Sequence, residues 1–190
     1  NIPFVEPRAW HRVTPLTDDL ECYLEFYCEP KNYFSNKYEL NPAHSEVVEA
    51  VRTIKPCKVL DLGCGQGRNA LFLSSLGFDV TAVDQNIPGL QYLKNVAEAE
   101  NLDIKVAHYD INTAAIQNTY DFISSTVVLM FLNPECIDNI ITNIQKQTNI
   151  GGYNLIVSAM STEDAPCPLP FPFTLKENEL KEYYNIDYKK

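Results

Sequence analysis

No apolar run in the sequence approaches the roughly 20 residues that cross a bilayer, no CxxC pair occurs, and no cluster of basic residues is found anywhere. The first absence excludes a transmembrane helix. The N-terminus has neither a basic head nor a continuous apolar stretch, so the expectation is a cytoplasmic protein. Six cysteines (Cys22, Cys28, Cys57, Cys64, Cys136, Cys167) lie scattered through a chain that needs no staples, and they read as free thiols with no metal site. Basic residues are few, 15 against 25 acidic, giving a net charge of −10. That balance argues against nucleic acid and anionic membranes as partners and favours a small molecule. It would repel an anionic substrate at long range, so such a substrate needs a local basic patch. Glycine is scarce as well, yet of seven in the chain three stand at alternate positions, 63, 65 and 67.

Those glycines punctuate residues 59 to 69, VLDLGCGQGRN, where a short apolar strand runs into a turn and then a helix. Alternate glycines permit positive φ and let a ligand approach bare backbone, and the following helix presents unpaired N–H groups. The bland alternative is a tight strand-to-helix turn that binds nothing. Acidic residues at the next two strand ends, Asp84 and Asp110, weigh against it.

The length suggests one main domain with an appendage, and 45% hydrophobic residues supply its core. Residues 1 to 30 carry prolines at 3, 7 and 15 and an alternating run, Cys22, Leu24, Phe26 and Cys28 on one face, that reads as a strand. One such strand cannot bury itself, so this piece either ends a β-domain or lies against the rest. Residues 30 to 41 read as a linker. Asn41-Pro42 then predicts a helix start, with Asn41 as N-cap and Val47, Val48, Val51 and Ile54 on one face, stopped by Pro56.

Beyond it the spacing predicts strands at 58–62, 79–83, 104–109, 120–129 and 153–160, with helices between them. Ile137, Ile140, Ile141 and Ile144 mark the clearest helix, and Gly151-Gly152 is expected to turn the chain into the fifth strand. Four prolines (166, 168, 170, 172) make 161–173 a stiff, lid-like loop, and Thr174 with Glu177 predicts a capping box opening a last helix through Leu180 and Tyr183. Strands alternating with helices imply an α/β fold, a doubly wound, mostly parallel sheet whose ligands bind beyond the strands' carboxyl ends. The chain lacks an initiator Met and stops abruptly after Lys190, so it reads as a piece of a longer protein.

Dinucleotides and S-adenosylmethionine compete for such a fold. A dinucleotide fingerprint wants a third glycine where Arg68 stands, which disfavours an NAD-dependent dehydrogenase. Asp61, two residues before the first glycine, suits a ligand bearing an ammonium group, which favours S-adenosylmethionine. Asp84 is placed to accept from both ribose hydroxyls, with Gln85 beside it; Asp110 could accept from the adenine amino group while the Ile111 N–H donates to the ring. Ser125, Thr126 and Val127 would line the methionine end.

With these residues placed, the chain resembles the class I S-adenosylmethionine-dependent methyltransferases, and more closely the TehB family of tellurite-resistance methyltransferases. The likeness is carried by Asn32-Tyr33-Phe34, Lys37-Tyr38, His44 to Val47, Leu60 to Asn69, Tyr120 to Ile123, Ser125 to Leu132, Gly151 to Val157, Ala159-Met160 and Phe171 to Phe173, across most of 31 to 184. The glycine motif is common to all class I methyltransferases; the stretches 125–132 and 151–157 are far more particular. Residues 1 to 30 resemble the tail of the cupin-like domain that precedes a methyltransferase domain, here 31 to 190, in longer members. The family continues into closing strands and a His- and Arg-bearing stretch that this sequence does not contain.

The resemblance implies a methyltransferase acting on tellurite, or selenite, in oxyanion resistance. A lone-pair nucleophile needs no general base, in keeping with the lack of any Ser-His-Asp or Cys-His constellation. The cofactor candidates are Asp61, Gly63, Gly65, Gly67, Arg68, Asn69, Asp84, Gln85, Asp110, Ile111, Thr126 and Val127. Lys37, His44 and Arg68 are candidates for placing an anion, and Tyr33, Phe34 and Tyr38 for an aromatic flap over the sulfonium. Each has a plain structural reading too. Two other functions stay open: a methyltransferase for small organic thiols or amines, and a cofactor-binding regulator without catalysis. The acceptor and the oligomeric state are not legible in the residues.

Overall fold

The computed structural model describes residues 30 to 184. The strand expected near residues 22–28, and the domain assignment of 1–30, lie outside them. Five parallel strands form one sheet in the order β3-β2-β1-β4-β5, with β1 Lys58–Leu62, β2 Asp79–Asp84, β3 Ile104–His108, β4 Tyr120–Thr126 and β5 Thr148–Val157. The central strand β1 pairs with β2 (Asp61 opposite Ala82) and with β4 (Asp61 opposite Ser124). This is the doubly wound α/β sheet that the alternating pattern predicts.

Two apolar layers sandwich the sheet. On one face α1 Pro30–Tyr38, α2 Ser45–Ala50, α3 Arg68–Ser75 and α4 Ile87–Ala99 enclose Val59, Ala82 and Phe122 with Leu71, Leu73, Leu93 and Val96. On the other, α5 Ile137–Lys146 lays Ile137, Ile140, Ile141 and Ile144, all buried, against Leu60, Leu62 and Ile123. Each isoleucine removed from water stabilises by about 2 kcal/mol, so this stripe fixes α5 whatever its propensity. The last helix, α6 Glu179–Tyr184, covers the same face: Tyr184 donates to Asn154 Oδ1 of β5 at 2.9 Å, and Gln145 of α5 donates to the Tyr183 carbonyl at 2.6 Å.

Several boundaries differ from expectation. The supposed linker is the helix α1, held by tertiary packing: Phe34 is buried, and the Tyr92 hydroxyl donates to the Tyr38 carbonyl at 2.6 Å. Asn41 is not a cap. His44 is, its Nδ1 accepting from the Glu46 N–H at 3.2 Å. Strand β4 ends at Thr126 because Val127 turns to φ +61, and the apolar run continues as a 3-10 turn, Leu129–Phe131, buried at Leu129 and Met130. Strand β5 begins earlier, at Thr148, and Gly151-Gly152 form an irregularity opposite Asp121 rather than an entry turn. A Cβ at Gly152 would stand 2.6 Å from the Asp121 carbonyl oxygen, which is why glycine is needed there. The last helix opens at Glu179, whose carboxylate accepts from the Lys176 N–H at 2.6 Å, so the box expected of Thr174 and Glu177 is replaced, two residues on, by a single one-way bond.

The proline-rich loop after β5 is pinned at both ends. Met160 and Leu175 form a parallel bridge at its base, while Phe171 meets Phe131 edge to face with centroids 5.3 Å apart and the Phe173 N–H reaches the Met130 carbonyl at 3.4 Å. It therefore crosses from the end of β5 to the turn after β4. Cys57, Cys64, Cys136 and Cys167 are free thiols among the described residues.

Candidate functional site

Strand β1 delivers the chain into a loop whose three glycines all take positive φ: +81 at Gly63, +56 at Gly65 and +89 at Gly67. The Gly63 and Cys64 N–H groups both donate to the Val83 carbonyl, at 2.9 and 3.0 Å, which ties the loop to the end of β2. Gly67 is the N-cap of α3 and supplies no side-chain cap, so first-turn N–H groups of that helix are left for something else to satisfy. The loop is tightly walled. A Cβ at Gly63 would lie 2.4 Å from Val128, and one at Gly67 would lie 2.3 Å from Leu93 of α4. At Gly65 a Cβ would meet nothing within 4 Å: this is the loop's open side.

Beneath the loop sits Asp61, 1% exposed, with Oδ2 lacking any hydrogen-bond partner. Burial pushes its carboxyl up to about 7, against the opposing influence of the Ala70 N–H and the Arg68 guanidinium and reinforced by Asp84. An acid held there with one oxygen unused has room to accept from a cationic donor. Ser124, its neighbour across the β1–β4 pairing, likewise has a buried hydroxyl without a partner. Burial, first, and then Asp61 and Asp84 push the Cys64 thiol far up, so it is a small filler and not a nucleophile.

Asp84 ends β2 with one oxygen accepting from the Gly65 N–H and the other from the Asn86 N–H, both at 2.8 Å. Each carboxylate oxygen keeps a lone pair for a further donor. Gln85 follows it on the surface. Asp110 lies at the end of β3 and caps its own turn, accepting from the Asn112 N–H at 3.0 Å, with Ile111 buried behind it. Asn112 in turn accepts from the Asn133 N–H at 2.9 Å, linking the β3 and β4 ends of the rim. Thr126 closes β4, and Val127 projects beyond it, 39% exposed in its left-handed conformation, with its N–H held by the Val157 carbonyl at 2.7 Å. Asn69 is buried with both ends of its amide engaged, donating to Thr126 Oγ1 and accepting from the His44 N–H.

The structure thus brings Asp61, Gly63, Gly65, Gly67, Arg68, Asn69, Asp84, Gln85, Thr126 and Val127 to one rim, with Asp110 and Ile111 further along it at β3. His44 stands beside Asn69, and burial and then the Arg68 charge hold its imidazole below its ordinary pKa, so it is neutral. Tyr33, Lys37 and Tyr38 are placed elsewhere. All three converge on Glu100: Lys37 pairs with it at 2.7 Å, and Tyr33 and Tyr38 donate to it at 3.1 and 2.5 Å. Glu100 is the C-cap of α4, whose N-cap, Asn86, adjoins Asp84. Thirteen helical residues separate the two ends by roughly 20 Å, so these side chains gather at the far end of the helix from the glycine loop. Phe34, the third flap candidate, is core.

Two features of the fold around the site had only faint sequence signals. Glu100 is one acid among many, and nothing in its spacing marks it as a hub. Gly89 is better signposted, being a glycine inside a helix's first turn: a Cβ there would stand 2.9 Å from the Gly65 carbonyl oxygen, so its absence lets the loop rest against α4.

Comparison with known proteins places the chain in a family. Residues 26–189 match the family described as tellurite resistance protein TehB. A relative from Haemophilus influenzae (strain 10810), named probable S-adenosyl-L-methionine-dependent methyltransferase TehB, is 63% identical over 184 residues, covering 97% of this chain and 64% of that protein. A relative from Eikenella corrodens named hemagglutinin 1 is 51% identical, over 94% of this chain and 59% of its own length. The crystal structure of TehB from Haemophilus influenzae superposes with a TM-score of 0.84 at 62% identity, over 97% of this chain and 64% of that one. The chain therefore spans less than two thirds of the length of the relatives it matches. On the family match and these identities, the chain belongs to the TehB family of tellurite resistance proteins.

Proposed function

We propose that this chain binds S-adenosylmethionine at the glycine loop and directs methyl transfer to a small acceptor, with tellurite as the acceptor the family description favours and selenite as its chemical analogue. The observation that carries the reading is Asp61, whose buried, unpartnered oxygen at the foot of the loop fits a ligand that brings its own ammonium group. The open side of the loop at Gly65 and the spare lone pairs of Asp84 fit the rest of such a ligand, a nucleoside with two ribose hydroxyls. Asp110 and the Ile111 N–H stand on the same rim for an adenine ring.

The bound cofactor supplies an electrophilic methyl group on a sulfonium. This chain's residues hold and orient. Asp61 in its ionised form balances the ammonium, Asp84 receives the ribose, and Thr126 with Val127 form the wall at the methionine end. An acceptor that attacks through a lone pair asks for no proton to be removed. Alignment and exclusion of water are then the protein's contribution, and such positioning is worth about 7 to 11 kcal/mol at best. His44 and Arg68, close enough for the Arg68 charge to act on the imidazole, are the side chains for steering an anion. We read the chain as a cytoplasmic methyltransferase domain, 31 to 190, following the tail of a cupin-like domain. Among the described residues no helix is long and apolar enough to cross a membrane.

A second acceptor class, small organic thiols or amines, is favoured by one feature. Phe131, 61% exposed, and Phe171 present an uncharged aromatic edge beside Val127. Calorimetry with the intact protein tests the cofactor, and absence of binding would sink the whole reading. Methylated products from tellurite, selenite and thiols offered side by side decide the acceptor. A single turnover that yields any of them rules out a purely regulatory role.

A further inference from the structure

We propose that Asn69 is a positioning residue that fixes the spacing of the walls around the methyl-transfer site; the inference rests on the methyltransferase reading above. Asn69 is 3% exposed and is the second residue of α3, directly after the glycine loop. Its Nδ2 donates to Thr126 Oγ1 at 2.9 Å, and its Oδ1 accepts from the His44 backbone N–H at 2.9 Å. One carboxamide therefore joins the loop helix, the last residue of β4, and the connection that enters α2. Only an amide of this length can do so: aspartate lacks the donor, leucine lacks both functions, and glutamine adds a methylene to a closed space.

What the brace holds is under strain. Val127, the residue after Thr126, is β-branched yet sits at φ +61, a conformation that L side chains avoid. Such a residue persists only where its surroundings over-determine it. Here one constraint is the Val127 N–H on the Val157 carbonyl, at 2.7 Å, and the other is the Asn69 amide on Thr126 just before it. Removing the second lets the turn after β4 relax. Because both ends of the buried Asn69 amide are already engaged in the brace, its loss acts first through Thr126 and Val127, and reaches turnover before affinity.

The test uses the full-length protein with Asn69→Asp, Thr126→Val, Thr126→Ser and the double variant Asn69→Asp/Thr126→Val. In the absence of cofactor, amide hydrogen exchange at Val127 should speed up by about tenfold or more in Asn69→Asp and in Thr126→Val. Thr126→Ser, which keeps the hydroxyl, should retain wild-type protection at Val127. The double variant should exchange no faster than the faster single one, because both remove the same bond. With cofactor, kcat should fall by about tenfold in Asn69→Asp while the calorimetric Kd for S-adenosylmethionine stays within about threefold. Unchanged Val127 exchange in both single variants overturns the proposal, as does a Kd that weakens in step with kcat, which would make Asn69 a cofactor ligand instead. If Asn69→Asp does not fold, Thr126→Val breaks the same bond from its other end. A wild-type protein that binds no S-adenosylmethionine would defeat the methyltransferase reading, whereas the exchange measurements still decide whether the brace exists.

Discussion

Asp61 couples the fold to acidity. Its carboxyl, raised by burial from the ordinary range near 4 to about 7, holds its proton more tightly in the folded chain than in the unfolded one. The stability this supports is therefore complete below pH 4 and is lost as pH rises through 7, on the order of 4 kcal/mol in all. Asp61→Asn should remove that slope, leaving a variant more stable than the parent at pH 8 and equal to it at pH 4, as read by melting temperature. A cationic ligand reverses the logic. The ionised form binds it, so affinity for S-adenosylmethionine should fall about tenfold per pH unit below 7 and level off above, and Asp61→Asn should bind weakly at every pH. A wild-type affinity that is flat between pH 5 and 8 would contradict this.

Gly63 makes a second prediction at the same scale. Its Cβ would strike Val128 at 2.4 Å and adopt φ +81, so Gly63→Ala should destabilise by about 2 to 3 kcal/mol through strain and overpacking. Val128→Ala in the same chain should recover the steric part and leave the backbone part, visible in denaturant midpoints. Gly65→Ala meets no atom, so its loss of stability should be smaller while its loss of cofactor binding is not.

Among elements, the glycine loop, strands β1 to β3 and the isoleucine helix α5 were legible because each is written in local spacing. The linker that proved to be α1 was not. PKNYFSNKY has no apolar stripe of helical period, and what holds it as a helix is tertiary contact: Phe34 buried in the core, packing against α3, and the side-chain bonds to Glu100. The same tertiary effect misplaced Lys37, expected to help place an anion, and Tyr33 and Tyr38, expected in an aromatic flap: the fold sends all three to the far end of α4. The end of β4 was unreadable for a different reason. Val127-Val128-Leu129 is as apolar as a strand, and only the backbone reveals that Val127 is the corner. The proline-rich loop was correctly read as a defined loop, and its two pins show why it holds a shape. Phe171→Ala should forfeit about 1 kcal/mol of ring contact and open residues 161–174 to limited proteolysis, with the sheet left intact.

Over the whole molecule the two ends of the sheet do separate jobs. The carboxyl ends carry the rim, and the opposite end of α4 carries the Glu100 hub that fastens α1 to the body. Glu100→Gln should therefore raise amide exchange throughout α1 and leave the affinity for S-adenosylmethionine unchanged. A parallel loss of affinity would show that the two ends communicate.

The pairing of Asp61 with Ser124 also has a consequence in time. Strand β1 is central, yet β4, its second neighbour, follows only after the entire β2–α4–β3 excursion, so a growing chain exposes Asp61 to water until that late strand arrives. Docking β4 then forces a choice on the carboxylate: take up a proton, or find a cation. Renaturation should accordingly be slower in alkaline buffer than in acid, and free S-adenosylmethionine should hasten it at high pH, acting as a folding template for the same carboxylate it later neutralises.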